Sequence, residues 1–207
     1  MNDFLPRGWG VQGERGIAFV ITGPSGAGKS SVIAELLRRD PKLAFSVSAT
    51  TRPNRADEVD GRDYYFVSEA AFDRLVAEGK LLEWTTYQGH RYGTPRSEVV
   101  DRLAAGQDVV LNVEVRGALA ILNAGLPHPV VLVFMVPPTR DELIRRIRAR
   151  GTESPDTLQA RLAIADEEVK LIPAFHYLVV NDDLAAAVAR VEAIVAAERA
   201  RIVPWPR

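Results

Sequence analysis

Eight consecutive residues, Gly23-Pro24-Ser25-Gly26-Ala27-Gly28-Lys29-Ser30, follow the apolar run Ile17–Thr22. Gly23-x-x-x-x-Gly28-Lys29-Ser30 is the P-loop pattern, and it stands between a strand-like and a helix-like segment, as that pattern requires. The glycines let successive backbone N–H groups converge on phosphate oxygens, and the helix N-terminus adds a favourable partial charge. Lys29 is placed to reach the β- and γ-phosphates of a nucleoside triphosphate, and the Ser30 hydroxyl to complete a Mg²⁺ shell shared with that nucleotide. A P-loop alone does not choose between an ATPase, a GTPase, a motor and a small-molecule kinase. The N-K-x-D motif of guanine recognition in GTPases is absent.

A second group of residues lies further along. Arg52 and Arg55 are three apart on a polar, proline-containing stretch, and Tyr64 and Tyr92 follow. Two forked guanidinium groups and two phenolic donors suit a phosphate dianion. Asp57, Glu58, Asp60 and Asp63 are close in sequence, so a solvated charged loop is an equal reading of the same residues. Glu83 is an acid inside the otherwise apolar run "LLEWTTY". Facing a pocket, its carboxylate accepts the N1–H and N2 amino hydrogens of guanine, which adenine cannot offer. On the solvent face of an edge strand it does nothing of the kind, and spacing alone leaves both arrangements open.

The elements that must position these groups can be read from periodicity. Residues 16–22, 108–113, 130–136 and 177–180 are continuously apolar and β-branched, as expected of strands buried on both faces. Residues 43–49 and 81–87 also have strand character, with a short strand at "YYFV" and a turn at "QGHRYGTP". Helical spacing begins at Lys29 (Val32, Ile33, Leu36, Leu37), and further helices are expected after Ser68, over 96–105, through "GALAILNAG", after a Thr139/Glu142 capping box, from Ser154-Pro155, and over the C-terminal alanine-rich stretch. In that last helix Val191, Ile194 and Val195 form a stripe expected to pack on the core. The alternation predicts an α/β fold: a parallel β-sheet flanked by helices, interrupted by a small mixed α/β insertion.

Composition narrows the rest. The chain has 207 residues, a net charge of -1 and no cysteine, which excludes disulfides and thiolate chemistry and gives no global basic field for nucleic acid. His90, His128 and His176 are too scattered for a metal site. No segment has the length and apolarity of a membrane span, and residues 1–15 read as a flexible leader without the features of a signal peptide. A cytoplasmic protein acting on small molecules is expected, with no nucleic-acid or membrane partner.

Taken in order, "GPSGAGKSS", "SVSATTRPNR", "GRDYYFV", "LLEW", "YGTP", "RIRARGTE" and "VVNDDL" resemble guanylate kinase over about residues 16–200. The resemblance implies ATP + GMP = ADP + GDP, with dGMP also accepted, and Mg²⁺ bound with the ATP. It implies a core (16–48, 96–138 and 174–203), a GMP-binding region (49–95) and a lid (139–173). By position, Ser48, Glu83 and Thr94 contact guanine. Arg52, Arg55, Tyr64 and Tyr92 hold the GMP phosphate, and Glu114 lies close to the nucleoside. The ATP side comprises residues 23–31, ending at Ser31, with Asn181 near the adenine. Lys29, Arg52 and the lid arginines Arg146, Arg150 and Arg161 act in the transfer. Two positions depart from the family pattern: Asn112 supplies a neutral carbonyl where an acid is common, and Arg116 stands where glutamine is common. Thr94 keeps the hydroxyl of the usual serine. The competing reading is a non-catalytic guanylate-kinase-like module that binds phosphopeptides. Such modules degrade the P-loop, which is intact here.

Overall fold

The computed structural model describes residues 9–11, 15–56, 58–87, 89–149 and 155–204. Five strands form the central sheet: β2 (Ala18–Thr22), β3 (Leu43–Phe45), β8 (Asp108–Asn112), β9 (Val130–Val136) and β10 (Tyr177–Val180). Their order is β10-β9-β2-β8-β3, and every pairing is parallel. Side chains alternate across a strand, so β2 feeds two cores. Phe19 and Ile21 pack with Val32 and Leu36 of α1 (Lys29–Arg39) and Val188 and Val191 of α7 (Leu184–Arg199). Ala18 and Val20 pack on the opposite face with Val99 and Leu103 of α3 (Arg96–Ala104) and Ala118 and Ile121 of α4 (Val115–Asn123). Burial on both faces is why these strands read as unbroken apolar runs. The stripe Val191, Ile194 and Val195 is buried in the first of these cores, as expected.

The insertion carries its own four-stranded sheet, built from β4 (Ala49–Thr50), β5 (Tyr65–Phe66), β6 (Leu81–Tyr87) and β7 (His90–Pro95) in the order β5-β4-β7-β6. A separate small core of Ala49, Phe72 and Leu81 joins it to α2 (Glu69–Ala77), whose N-cap Ser68 accepts a hydrogen bond from the Ala71 N–H at 3.2 Å. A fourth apolar cluster, Leu143, Ile147 and Ala165, joins α5 (Arg140–Ala149) to α6 (Pro155–Glu168). A 3-10 turn, Val169–Ala174, leads from α6 into β10.

Four expectations need correction. Residues 43–49 are not one strand: β3 ends at Phe45, and Ala49 already belongs to the second sheet, so Ser46–Ser48 cross between sheets. The segment read as the turn "QGHRYGTP" is mostly strand β7, hydrogen-bonded on both sides by β4 and β6. The capping box is half made. Thr139 Oγ1 accepts from the Glu142 N–H at 3.1 Å, while the Glu142 carboxylate takes Arg145 and Arg146 instead. Finally, the leader is not wholly loose, because β1 (Trp9–Val11) pairs antiparallel with β11 (Ile202–Pro204).

Candidate active site

The ends of β2, β3 and β8 open into a cleft of about 1140 Å³ that runs from the P-loop to the insertion. At the P-loop end, Gly28 is the N-cap of α1 with φ 87°, a left-handed conformation that costs an L-residue roughly 1–2 kcal/mol. A Cβ there would stand 2.2 Å from Asn181 Nδ2, so glycine is required twice over. Lys29 Nζ donates to the carbonyl oxygens of Gly23 (2.5 Å) and Pro24 (3.2 Å), which holds the ammonium across the loop. The Ala27 carbonyl accepts from Asn181 Nδ2 (2.8 Å) and from Arg146 Nη1 (3.4 Å), and Arg146 Nη2 donates to the Asn181 carbonyl (2.9 Å). Arg161 of α6 donates to Ser25 Oγ at 3.3 Å. Two of the arginines expected in the lid therefore touch the P-loop. Arg150 lies outside the described residues.

Glu83 forms the floor at the other end, where a smaller cavity is bounded by Ser48, Tyr64, Tyr92 and Glu114. Its strand is an edge strand, yet Glu83 is only 8% exposed, so the solvent-facing reading fails. The reason is local. Pairing of β6 with β7 shifts register between Leu81 and Glu83, and a bulge of this kind re-aims side chains. Glu83 Oε1 accepts from Thr94 Oγ1 at 2.7 Å, on the residue paired with it across the strands. Burial pushes the Glu83 carboxyl up from its ordinary range, the Thr94 hydroxyl opposes that rise, and the Glu114 charge adds to it. Gly117 of α4 backs the carboxylate: a Cβ there would lie 2.8 Å from Glu83 Oε2. Glu114 holds the N-cap position of α4 without capping it. Its carboxylate lines the cleft, pushed up by burial and pulled back by the Lys29 charge. Thr22 Oγ1 pins this corner by donating to the Val113 carbonyl at 2.8 Å.

Between the two ends, Arg52 and Arg55 line the cleft together with Glu58. Arg52 Nη2 lies 2.7 Å from Glu58 Oε1, and its Cζ stands 5.5 Å from the centre of the Tyr64 ring. Tyr64 and Tyr92 meet edge to face with centroids 6.0 Å apart. Ser25, Ser30 and Asn112 complete this wall, so Asn112 does face the cleft, whereas Arg116 is exposed outside it. Ser31 is exposed on the first turn of α1.

Two further groups line the cleft and a third feels its charges, although the sequence does not single them out. Glu58 reads in one dimension as one of the solvated acids. Tyr87 lines the cleft, and burial with the Glu114 and Glu168 charges pushes its hydroxyl up to about 12. Glu168, at the end of α6, is pushed up to about 7, first by burial and then by Glu114, with Lys29 opposing.

The cleft thus joins a phosphate-binding loop to a buried carboxylate with arginines between them. The whole chain is similar to known proteins. The sequence model of the family described as guanylate kinase matches residues 15–198. The chain is 47% identical to a guanylate kinase of Symbiobacterium thermophilum, over 91% of this chain and 89% of that one. It is 49% identical to a guanylate kinase of Thermus thermophilus, over 92% and 84%. The crystal structure of guanylate kinase from Anaplasma phagocytophilum superposes with a TM-score of 0.75 at 31% identity, covering 91% of this chain and 88% of that one.

Proposed function

The chain belongs to the guanylate kinase family, and on that premise we propose how its cleft carries out the ATP-dependent phosphorylation of GMP to GDP. ATP lies with its phosphates on residues 23–31 and its adenine toward Asn181. GMP lies with guanine on Ser48, Glu83 and Thr94, its nucleoside beside Glu114, and its phosphate on Arg52, Arg55, Tyr64 and Tyr92. The acceptor phosphate is largely ionised near neutral pH, so no general base is needed. One of its oxygens bonds to the γ-phosphorus as the β–γ bridging bond breaks, and the leaving electrons stay on ADP. Catalysis is then alignment and charge neutralisation. Lys29, Arg146, Arg150 and Arg161 surround the transferred group, and drawing Lys29 off the Gly23 and Pro24 carbonyls is part of binding.

Among the described residues no three His, Cys, Asp or Glu side chains are grouped to hold a metal. The Ser30 hydroxyl, the Asn112 carbonyl and the Glu114 carboxylate are nevertheless hard oxygen donors on residues lining the same cleft, a set that would suit Mg²⁺ arriving with the triphosphate. Bound there, the ion offsets charge on the β- and γ-phosphates. The separate apolar clusters support a division into core (16–48, 96–138, 174–203), GMP-binding region (49–95) and lid (139–173). No helix among the described residues is long and apolar enough to cross a membrane, and a cytoplasmic site of action, with dGMP as a second acceptor, completes the proposal.

The observation that carries the base assignment is the buried Glu83 with Thr94 on one of its oxygens. The remaining lone pairs match the two donor positions of guanine, and adenine would leave the charge unpaired. Glu83→Gln places a donor against those hydrogens. It should raise KM for GMP roughly a hundredfold and leave KM for MgATP unchanged. Unaltered GMP kinetics would mean that guanine is read elsewhere.

A further inference from the structure

Glu58 makes three connections within one short loop. Its Oε1 pairs with Arg52 Nη2 at 2.7 Å, its Oε2 accepts from the Arg55 backbone N–H at 2.8 Å, and its own N–H donates to the Arg55 carbonyl at 3.1 Å. Arg52 Nη1 also donates to the Pro53 carbonyl at 2.7 Å. The Arg52 and Glu58 side chains are 13% and 14% exposed, while the Arg55 side chain is 64% exposed. One carboxylate therefore ties the side chain of the first arginine to the backbone of the second. A terminal guanidinium nitrogen carries two hydrogens, so these bonds leave Arg52 donors for a phosphate.

Two roles are open to such an acid. It could stand in for the phosphate and be displaced by it, or it could fix the arginines in the spacing that a phosphate needs. A displaced competitor would be held by the arginine donors alone. Here one oxygen is committed to a backbone N–H, and the turn is built around the carboxylate. Resting on the GMP reading above, we propose that Glu58 is a positioning residue for the acceptor phosphate, acting through Arg52 and the Arg55 backbone. Its presence lowers the formal charge facing the phosphate from two guanidinium groups to a net single positive charge. The loop gives up Coulombic attraction for geometry. Burial pushes the Glu58 carboxyl up, and the Arg52 and Arg55 contacts outweigh it and hold it below its ordinary value, so it stays ionised at neutral pH.

Coulomb attraction and positioning predict opposite signs for Glu58→Gln, which makes the test sharp. Removing the charge strengthens phosphate binding if only charge matters, and weakens it if Arg52 loses its anchor. Wild type, Glu58→Gln, Glu58→Asp, Arg52→Ala and Arg52→Ala/Glu58→Gln are compared by steady-state kinetics, by calorimetry with GMP and with guanosine, and by thermal melting. KM and Kd for GMP should rise roughly tenfold or more in Glu58→Gln and in Glu58→Asp, whose shortened side chain keeps the charge but not the reach. Affinity for guanosine, which lacks the phosphate, and KM for MgATP should stay at wild-type values. The Glu58→Gln effect should shrink on the Arg52→Ala background, leaving only the part carried by the Arg55 backbone. GMP binding that is unchanged or tighter in Glu58→Gln overturns the proposal, as does an equal loss for guanosine, or full additivity with Arg52→Ala. If Glu58→Gln melts out, Glu58→Asp still separates the two readings, since charge alone predicts unchanged GMP binding and positioning predicts the loss. Absence of GMP turnover in wild type would refute the functional reading instead, and the calorimetric comparison would still decide the role of Glu58.

Discussion

Glu168 is a carboxyl whose surroundings make it titrate near neutrality. Its pKa is pushed from 4.5 to about 7 by burial and by the Glu114 charge. The unfolded chain releases this proton near 4.5 and the folded chain keeps it to about 7. Between those values the native state binds more protons, so this group's contribution to stability falls as pH rises through the window and is level above it. Glu168→Gln removes that dependence. Urea unfolding midpoints measured from pH 4.5 upward should show the variant gaining on wild type until about pH 7. A constant gap would mean that the carboxyl titrates normally. Nothing in the sequence around Glu168 marks it, because the shift comes from burial and from Glu114 and Lys29, residues far away in the chain. Glu83 is different. An acid in an apolar run is visible in one dimension, and only its facing had to come from the fold. Arg52 and Arg55 are visible too, but sequence alone weighs Glu58 as a solvated neighbour, since the bond that binds it to them depends on how the loop turns.

At the scale of elements, the guanine end of the site depends on α4 lying close behind β6. Gly117 permits that approach, since a Cβ would stand 2.8 Å from Glu83 Oε2 and within 3.2 Å of its carboxyl carbon. Gly117→Ala should therefore push the carboxylate off its Thr94 bond. We expect KM for GMP to rise roughly tenfold with KM for MgATP unchanged, and wild-type GMP kinetics would show that the floor relaxes freely. The central strands and their helices were legible because burial on two faces leaves an unbroken apolar signature. The insertion was less so. "QGHRYGTP" contains two glycines and a proline and reads as a turn, yet β7 is held in extended form by partners on both sides. Tertiary pairing overrode the local preference. Residues 43–49 misled for the opposite reason, since continuous strand character hid a passage from one sheet to another. That passage is what carries Ser48 to the wall of the cleft.

Across the whole molecule, the cleft is lined from the central sheet, the inserted sheet and α6, and the ties that hold these elements are specific. Tyr65 of the insertion donates to Glu98 of α3 at 2.8 Å, and Arg102 of the same helix bonds Glu98 at 2.9 Å and the Phe45 carbonyl at 3.2 Å. Arg199 of α7 pairs with Asp40 at 2.6 Å and Asp108 at 2.7 Å, and Asp108 also accepts from the Ile17 N–H at 2.8 Å, which fastens the final helix to the central sheet. Such a frame suits a reaction that needs two phosphates brought into line more than it needs covalent chemistry. The alternation of strands with helices made this architecture readable, whereas strand order and these long-range ties had no signal in a single sequence. The central claim is that the cleft transfers a phosphoryl group from ATP to a guanine monophosphate. It is tested most directly by coupled measurement of ADP formation from MgATP with GMP, AMP, CMP and UMP as alternative acceptors. ADP formation that depends on GMP and is absent with the other three is the predicted result. No GMP-dependent ADP formation, or equal turnover of AMP, would contradict it.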